Sequence, residues 1–253
     1  MKKPAFPIIP LFLFLNVLLI GLFSIEYMTY FNNFLLLFCH ENYIINVTKE
    51  EGDMAIKIYD EIKNRIEGIQ EGEIFFTSDF SDIASLSTIR KCLGRQVEEN
   101  KIRRIMDGVY ERPRYSNVLK EYIPTDPEKV AYALARKYHW TISPCGDVAL
   151  NKLGLSTQVP VVWSYISDGP YREFEFNNVK ISFKHKANRE ISLMSDLAIM
   201  VVEAFKTLGK ERIDDKTIET LRKRLSKEDK MKLLADAKDV SSWILENIRK
   251  VCI

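Results

Sequence analysis

The sequence predicts an α+β protein built in two parts behind an apolar N-terminal segment, and three observations carry that prediction. Apolar residues at Leu86, Ile89, Leu93 and Val97 recur with helical spacing, and two short strand-like runs follow around Asp107-Gly108, a pair favoured in tight hairpin turns. Thr125-Asp126-Pro127-Glu128 is a helix start, with a capping residue, a first-turn proline and an early acid. Three more strand-like runs come next, and the remainder is helical. A length of 253 residues suits two modest domains. They are drawn at 54–121 and 122–253, with 1–53 as an extension and linker.

The extension admits three readings. Residues 8–25 are uncharged, rich in Leu, Ile and Phe, and preceded by Lys2 and Lys3, which meets the minimum pattern of a membrane span or a signal segment. Pro10, Asn16 and Gly21 make a poor spanning helix, residues 31–38 are too short to cross a bilayer, and no small-residue cleavage site follows Ser24. The third reading places the start of the protein at Met54. Helical periodicity begins there, with Tyr59, Ile62, Ile66 and Ile69 on one stripe. A membrane is a partner only if residues 8–38 are genuinely translated; otherwise the protein is expected in the cytoplasm.

Residues 77–112 read as the DNA-contacting half of a winged helix-turn-helix. Opposite the apolar stripe of the Leu86–Val97 helix lie Ser87, Thr88, Lys91 and Arg95, a face suited to DNA. The helix runs out at Asn100, and the hairpin from Lys101 to Arg112, with Arg103 and Arg104, is the expected wing. Between Ser87 and Lys120 nine cations stand against four anions, a local +5 on a chain of net charge +2. A local basic surface is what phosphate contacts require, because each neutralised phosphate releases counterions. The competing reading is a solvated charged helix in a small interaction domain.

In the second part a helix should carry Val130, Leu134 and Tyr138 on one side, and Ser143-Pro144 should open a short helix ending near Gly154. Strands over 161–167, 172–176 and 179–185, joined at Asp168-Gly169 and Asn177-Asn178, are expected to form a short antiparallel meander. Helices follow over 193–208, closing at Gly209, over 217–225, from Ser226 and over 240–251, where Trp243 and Ile244 are core anchors. Ser156 and Thr157 either satisfy backbone groups after the Gly154 stop or, with Gln158, form a polar loop that contacts a partner. Arg172 either pairs with Asp168 or faces that partner.

Enzyme chemistry finds no footing. A nucleotidyltransferase needs Gly-Ser followed by paired aspartates, and the chain has no Gly-Ser dipeptide; Ser156 lacks a nucleophile elbow. The histidines are His40, His139 and His185, and Cys39, Cys92, Cys145 and Cys252 lie too far apart for a zinc site. Neither metal nor cofactor is expected, and Cys92 should pack beside Leu93 as a small apolar residue.

Two stretches carry a family resemblance. Ser143-Pro-Cys-Gly-Asp-Val-Ala-Leu-Asn-Lys-Leu-Gly-Leu-Ser-Thr-Gln-Val-Pro160 with Tyr165-Ile-Ser-Asp-Gly-Pro-Tyr-Arg172 resembles the signature block of AbiEi-type proteins, the antitoxins of type IV toxin-antitoxin systems. Phe76-Thr-Ser-Asp-Phe80, Ile102-Arg-Arg104 and Gly108-Val-Tyr110 resemble that family's N-terminal winged helix. The resemblance spans about residues 54–205. It implies a transcriptional autorepressor that binds inverted repeats in its own promoter and counters a nucleotidyltransferase toxin, directly or functionally. The alternative is a membrane-tethered regulator or protein-interaction module without antitoxin activity.

Overall fold

The computed structural model describes residues 54–187 and 194–253, so the readings made on residues 1–53 and the start of the helix expected at 193 lie outside them. The chain divides at residue 60 into two compact units. Residues 54–60, the described part of the first, are helical. The second unit, 61–253, is a mixed α+β body, and among the described residues no helix is long and apolar enough to cross a membrane.

The second unit opens with helix α1 (residues 61–68), which buries Ile62 and Ile66. Strand β1 (Ile74–Phe76) follows, then a 3-10 turn (Thr77–Phe80) and helix α2 (Leu86–Glu98). The turn is capped at its start, where the Asp79 carboxylate accepts the Phe76 N–H at 2.8 Å, and Phe80 at its end is fully buried. Helix α2 starts where Ser85 Oγ accepts the Thr88 N–H and ends before Asn100, whose left-handed φ of 57° lets Lys101 N–H reach back to Gln96. Its buried side is Ile89, Cys92, Leu93 and Gln96. Cys92 therefore packs as expected, whereas Leu86 is half exposed because it sits in the first turn, off the edge of the buried arc.

Strands β2 (Arg103–Met106) and β3 (Val109–Glu111) form the expected hairpin, turning at Asp107-Gly108 with Gly108 at φ 69°. They join β1 in a three-stranded antiparallel sheet of order β1-β3-β2. A second hairpin, β4 (Tyr115–Ser116) with β5 (Glu121–Tyr122), which the sequence reading did not anticipate, straddles the division drawn between residues 121 and 122. It is closed by Tyr115 against Tyr122.

Helix α3 (Pro127–Tyr138) begins as predicted, but its capping side chain is Asp126, while Thr125 is turned inward to Glu111. Ser143 and Pro144 belong to strand β6 (Ile142–Pro144), and helix α4 (Gly146–Lys152) starts only after them.

The expected meander is corrected by the pairing. In the four-stranded sheet β7 (Val162–Ser167) and β9 (Val179–His185) lie side by side and parallel, with β8 (Arg172–Phe176) outside β9 and β6 outside β7. The 172–185 hairpin is a true antiparallel pair. It swings over so that its second strand docks on β7, burying Ile181 and Phe183 beside Tyr165, while Ile166 on the other face packs against Ile199. Sequential turn signals cannot distinguish these two docking orders.

Helices α5 (Asp196–Leu208), α6 (Asp215–Arg224), α7 (Lys227–Asp236) and α8 (Ser242–Cys252) enclose one apolar cluster with α4. Ile244 is buried in it and Trp243 lies partly buried against it. A second cluster runs without a break from Ile74, Phe76, Ile105 and Val109 through Val130 and Leu134 of α3 to Tyr165, Ile181 and Phe183. It crosses the boundary placed at 121/122 and fixes α3 against both sheets.

Candidate nucleic-acid interface

The face of α2 opposite its buried arc is exposed at Ser87, Arg90, Lys91 and Arg95, with Thr88 at its margin. The hydroxyls of Ser87 and Thr88 each lie 2.9 Å from Ser85 Oγ, so these two side chains are gathered at the helix N-terminus. Lys91 and Arg95 stand one and two turns further on, along the outward side. Four of the residues expected to meet DNA therefore share one surface with Arg90.

The hairpin residues divide. Lys101 is exposed at the entry, and Arg104 is exposed at the turn, where it pairs with Asp107. Arg103 points the other way. Its guanidinium donates to Glu111 Oε2 at 3.2 Å, to Ile123 O at 3.3 Å and to Thr125 Oγ1 at 3.2 Å, inside the junction with the segment leading to α3. Arg112 donates to the carbonyls of Glu67 and Ile69 at the end of α1. One guanidinium nitrogen of Arg112 is thus committed to these two carbonyls, and the side chain holds the backbone at the end of α1.

Between α2 and the hairpin runs an open groove of about 760 Å³. Its walls include Arg90 and Gly94 from α2, Arg104 and Gly108 from the hairpin, Thr77 below them, and Lys137 from the last turn of α3. Lys137 arrives there because α3 tracks β1: Lys129 reaches Gly72 O at 3.0 Å and Glu73 at 3.1 Å, Arg136 reaches Ile74 O at 3.0 Å, and Lys137 Nζ lies 4.8 Å over the Phe76 ring. Sequence reading singled out neither Thr77 nor Lys137. Arg90 was legible as the cation beside Lys91, but a lysine 33 positions beyond Arg104 has no local signal tying it to a hairpin.

The residues expected to meet a protein partner lie elsewhere. Ser156 is half-buried, and Thr157 and Gln158 are exposed. Asn151 Nδ2 donates to the Gln158 carbonyl at 3.0 Å, and Ser156 Oγ accepts the Gln158 N–H at 3.2 Å, so the loop is organised by its own backbone. Arg172 does not pair with Asp168, whose carboxylate accepts the Thr141 N–H at 2.9 Å. Its guanidinium stacks 4.7 Å over Tyr138 and 5.2 Å over Phe174. The glycine of the adjacent turn is required by packing: a Cβ at Gly169 would lie 2.3 Å from the Trp140 ring. Arg172 and the 156–158 loop are thus separate features.

No group of three or more His, Cys, Asp or Glu side chains among the described residues is placed to hold a metal ion. His139 caps α3 in a left-handed conformation, and His185 Nδ1 lies 2.8 Å from Gly169 O. The buried cysteines are held as thiols, desolvation raising Cys92 and pushing Cys145 up to about 11.

Comparison with curated proteins gave no match. A family model does match, over residues 61–233, a span that contains α2, the hairpin, α3 and the four-stranded sheet. The chain belongs to that family, whose description is a family of unknown function (DUF6088).

Proposed function

We propose that residues 61–111 form a winged helix that binds duplex DNA, with α2 entering the major groove and the β2–β3 hairpin as the wing. One observation carries the reading: an exposed helix face bearing Ser87, Lys91 and Arg95 stands beside a tight hairpin bearing Arg104, across an open groove. The order helix, strand, helical turn, helix, hairpin, with the first strand paired to the last in one small sheet, supports it. In this reading Ser87, Thr88, Lys91 and Arg95 approach bases and Lys101 and Arg104 approach the backbone. Arg103 and Arg112 set the angle of the hairpin from within.

The protein then acts in the cytoplasm as a regulator of its own promoter. The resemblance of residues 143–172 to AbiEi-type antitoxins extends the proposal to a cognate nucleotidyltransferase toxin, with Ser156, Thr157, Gln158 and Arg172 as the contact candidates.

The test is a titration of the full chain against duplex DNA from upstream of its own gene and against a mixed-sequence duplex at matched salt. Preference for the upstream duplex is expected. Equal affinity would remove the promoter-specific role, and no binding to either would remove the DNA-binding one. Co-expression with a neighbouring nucleotidyltransferase gene tests the antitoxin extension: restored growth supports it, and continued arrest despite soluble protein refutes it.

A further inference from the structure

The groove between α2 and the hairpin holds a feature that folding alone does not explain. Thr77 is 6% exposed, and its Oγ1 has no hydrogen-bond partner among the described residues although it lies in the groove wall. A buried hydroxyl left without a partner costs stability, so such an atom marks a place where another group completes the bond. A Cβ at Gly108 would approach this oxygen to 3.4 Å; the oxygen itself is covered in the unbound chain, and a turn without a side chain at Gly108 is what has to shift for a ligand to reach it.

Two exposed cations flank it from different elements. Arg90 lies on the groove side of α2, and Lys137 Nζ is held over Phe76, the residue immediately before Thr77. Arg104 also lines the groove but is paired with Asp107, and Glu98 is the other carboxylate, so cations outnumber carboxylates three to two. A hydroxyl donor, a guanidinium and an ammonium around open space form the donor set of a phosphate. At about 760 Å³ the groove has room for much more than one free anion and it opens to solvent, which suits part of a longer phosphate-bearing ligand.

The geometry points to a phosphodiester seat in this groove, in which Lys137, Arg90 and the Thr77 hydroxyl grip one backbone phosphate of the bound nucleic acid. The inference rests on the winged-helix reading and goes beyond it. It brings α3, an element outside the winged helix, into the interface, so that docking of α3 on β1 sets the phosphate contact. Lys137 acts as the charge, and Thr77 fixes where the phosphate sits.

The experiment uses the full chain and a fluorescein-labelled mixed-sequence duplex, with binding followed by anisotropy across a salt series. Lys137→Gln should weaken binding several-fold and lower the slope of log affinity on log salt by about 0.9, the share of one phosphate contact. Thr77→Val should raise the thermal unfolding midpoint, because the unpartnered hydroxyl is gone, and yet weaken binding. Lys129→Gln, on the same helix but engaged with Glu73, should leave the slope unchanged.

A Lys137→Gln protein that binds with the wild-type slope overturns the seat while leaving the DNA-binding reading intact. A Thr77→Val protein that is more stable and binds normally overturns the role of the hydroxyl. A wild-type chain that binds no duplex refutes the winged-helix reading itself, and the seat falls with it. At matched ionic strength, exchanging chloride for inorganic phosphate should weaken duplex binding by competition at the seat, and Lys137→Gln should lose that sensitivity. A phosphate effect of the same size in both proteins would count against the seat.

Discussion

Arg103 and Glu111 stand directly opposite each other on neighbouring strands, and their 3.2 Å ion pair is completed by Thr125, whose hydroxyl donates to the same carboxylate oxygen at 2.6 Å. The pair links the hairpin to the segment that leads into α3. Glu111 is buried and Arg103 partly so, which makes the carboxylate the more sensitive member.

Removing that carboxylate should therefore act on stability and not on charge at the interface. Glu111→Ala leaves the Arg103 guanidinium and the Thr125 hydroxyl without their shared acceptor, a loss of about 2 to 3 kcal/mol. Denaturant unfolding should show a lower midpoint at an unchanged m-value. Arg103→Met should also destabilise, while the salt slope of duplex binding stays at its wild-type value below the unfolding transition. A drop of that slope by about one unit would make Arg103 a phosphate contact after all.

Lys91 and Arg95 should behave in the opposite way. Both are exposed on α2, so alanine at either should leave the thermal midpoint nearly unchanged. Selection of preferred duplexes from a randomised pool should show relaxed sequence preference, with about 1 to 3 kcal/mol of discrimination lost for each base contact removed. Equal losses on preferred and random duplexes would move these residues to the backbone-contacting class.

The N-terminus of α6 supplies a pH-dependent term. Asp214 accepts from Thr217 Oγ1 at 2.7 Å and from Thr217 N–H at 2.8 Å, and these bonds hold its carboxyl below the ordinary value of 3.8. A carboxyl lowered in the folded state adds stability above its unfolded pKa and loses it as pH falls through the folded one. Asp214→Ala should thus unfold at lower temperature than wild type at neutral pH. The difference should close as the pH is taken below 3.8. A gap that persists unchanged into strong acid would assign the loss to helix propensity or packing.

Cysteine reactivity gives an independent check on the core. Desolvation pushes the Cys145 thiol to about 11, and Cys92 is likewise buried and raised, whereas Cys252 is only partly buried at the end of α8. Maleimide labelling of the native protein near neutral pH, read by peptide mass spectrometry, should modify Cys252 before Cys145 and Cys92. Cys145 and Cys92 should react only as the protein unfolds, and prompt native labelling of Cys145 would contradict its placement.

Much of this architecture was legible locally. Caps, the Asp107-Gly108 turn, the helical stripe through Ile89 and Leu93, and the starts of α3 and α7 depend on residues within one or two turns of each other, where hydrogen bonding and periodicity act directly. The exposed cations of α2 were legible for the same reason, since a helix presents every third or fourth residue on one face. The sequence by itself thus determined the main helices and the β2–β3 and β8–β9 hairpins, but neither the β4–β5 hairpin nor strand β6, and it determined that the outer face of α2 is basic.

Only the tertiary structure decided how those pieces dock. The parallel partnership of β7 with β9, the bonding of Arg103 and Arg112 to distant groups of their own chain, and the arrival of Lys137 beside Thr77 all join residues well apart in the chain. An arginine after an apolar residue reads the same whether it meets solvent, a phosphate or a buried glutamate. Its direction is set by the shared apolar cluster that seats α3 across both sheets, a balance of burial summed over the whole unit that no short window of sequence contains.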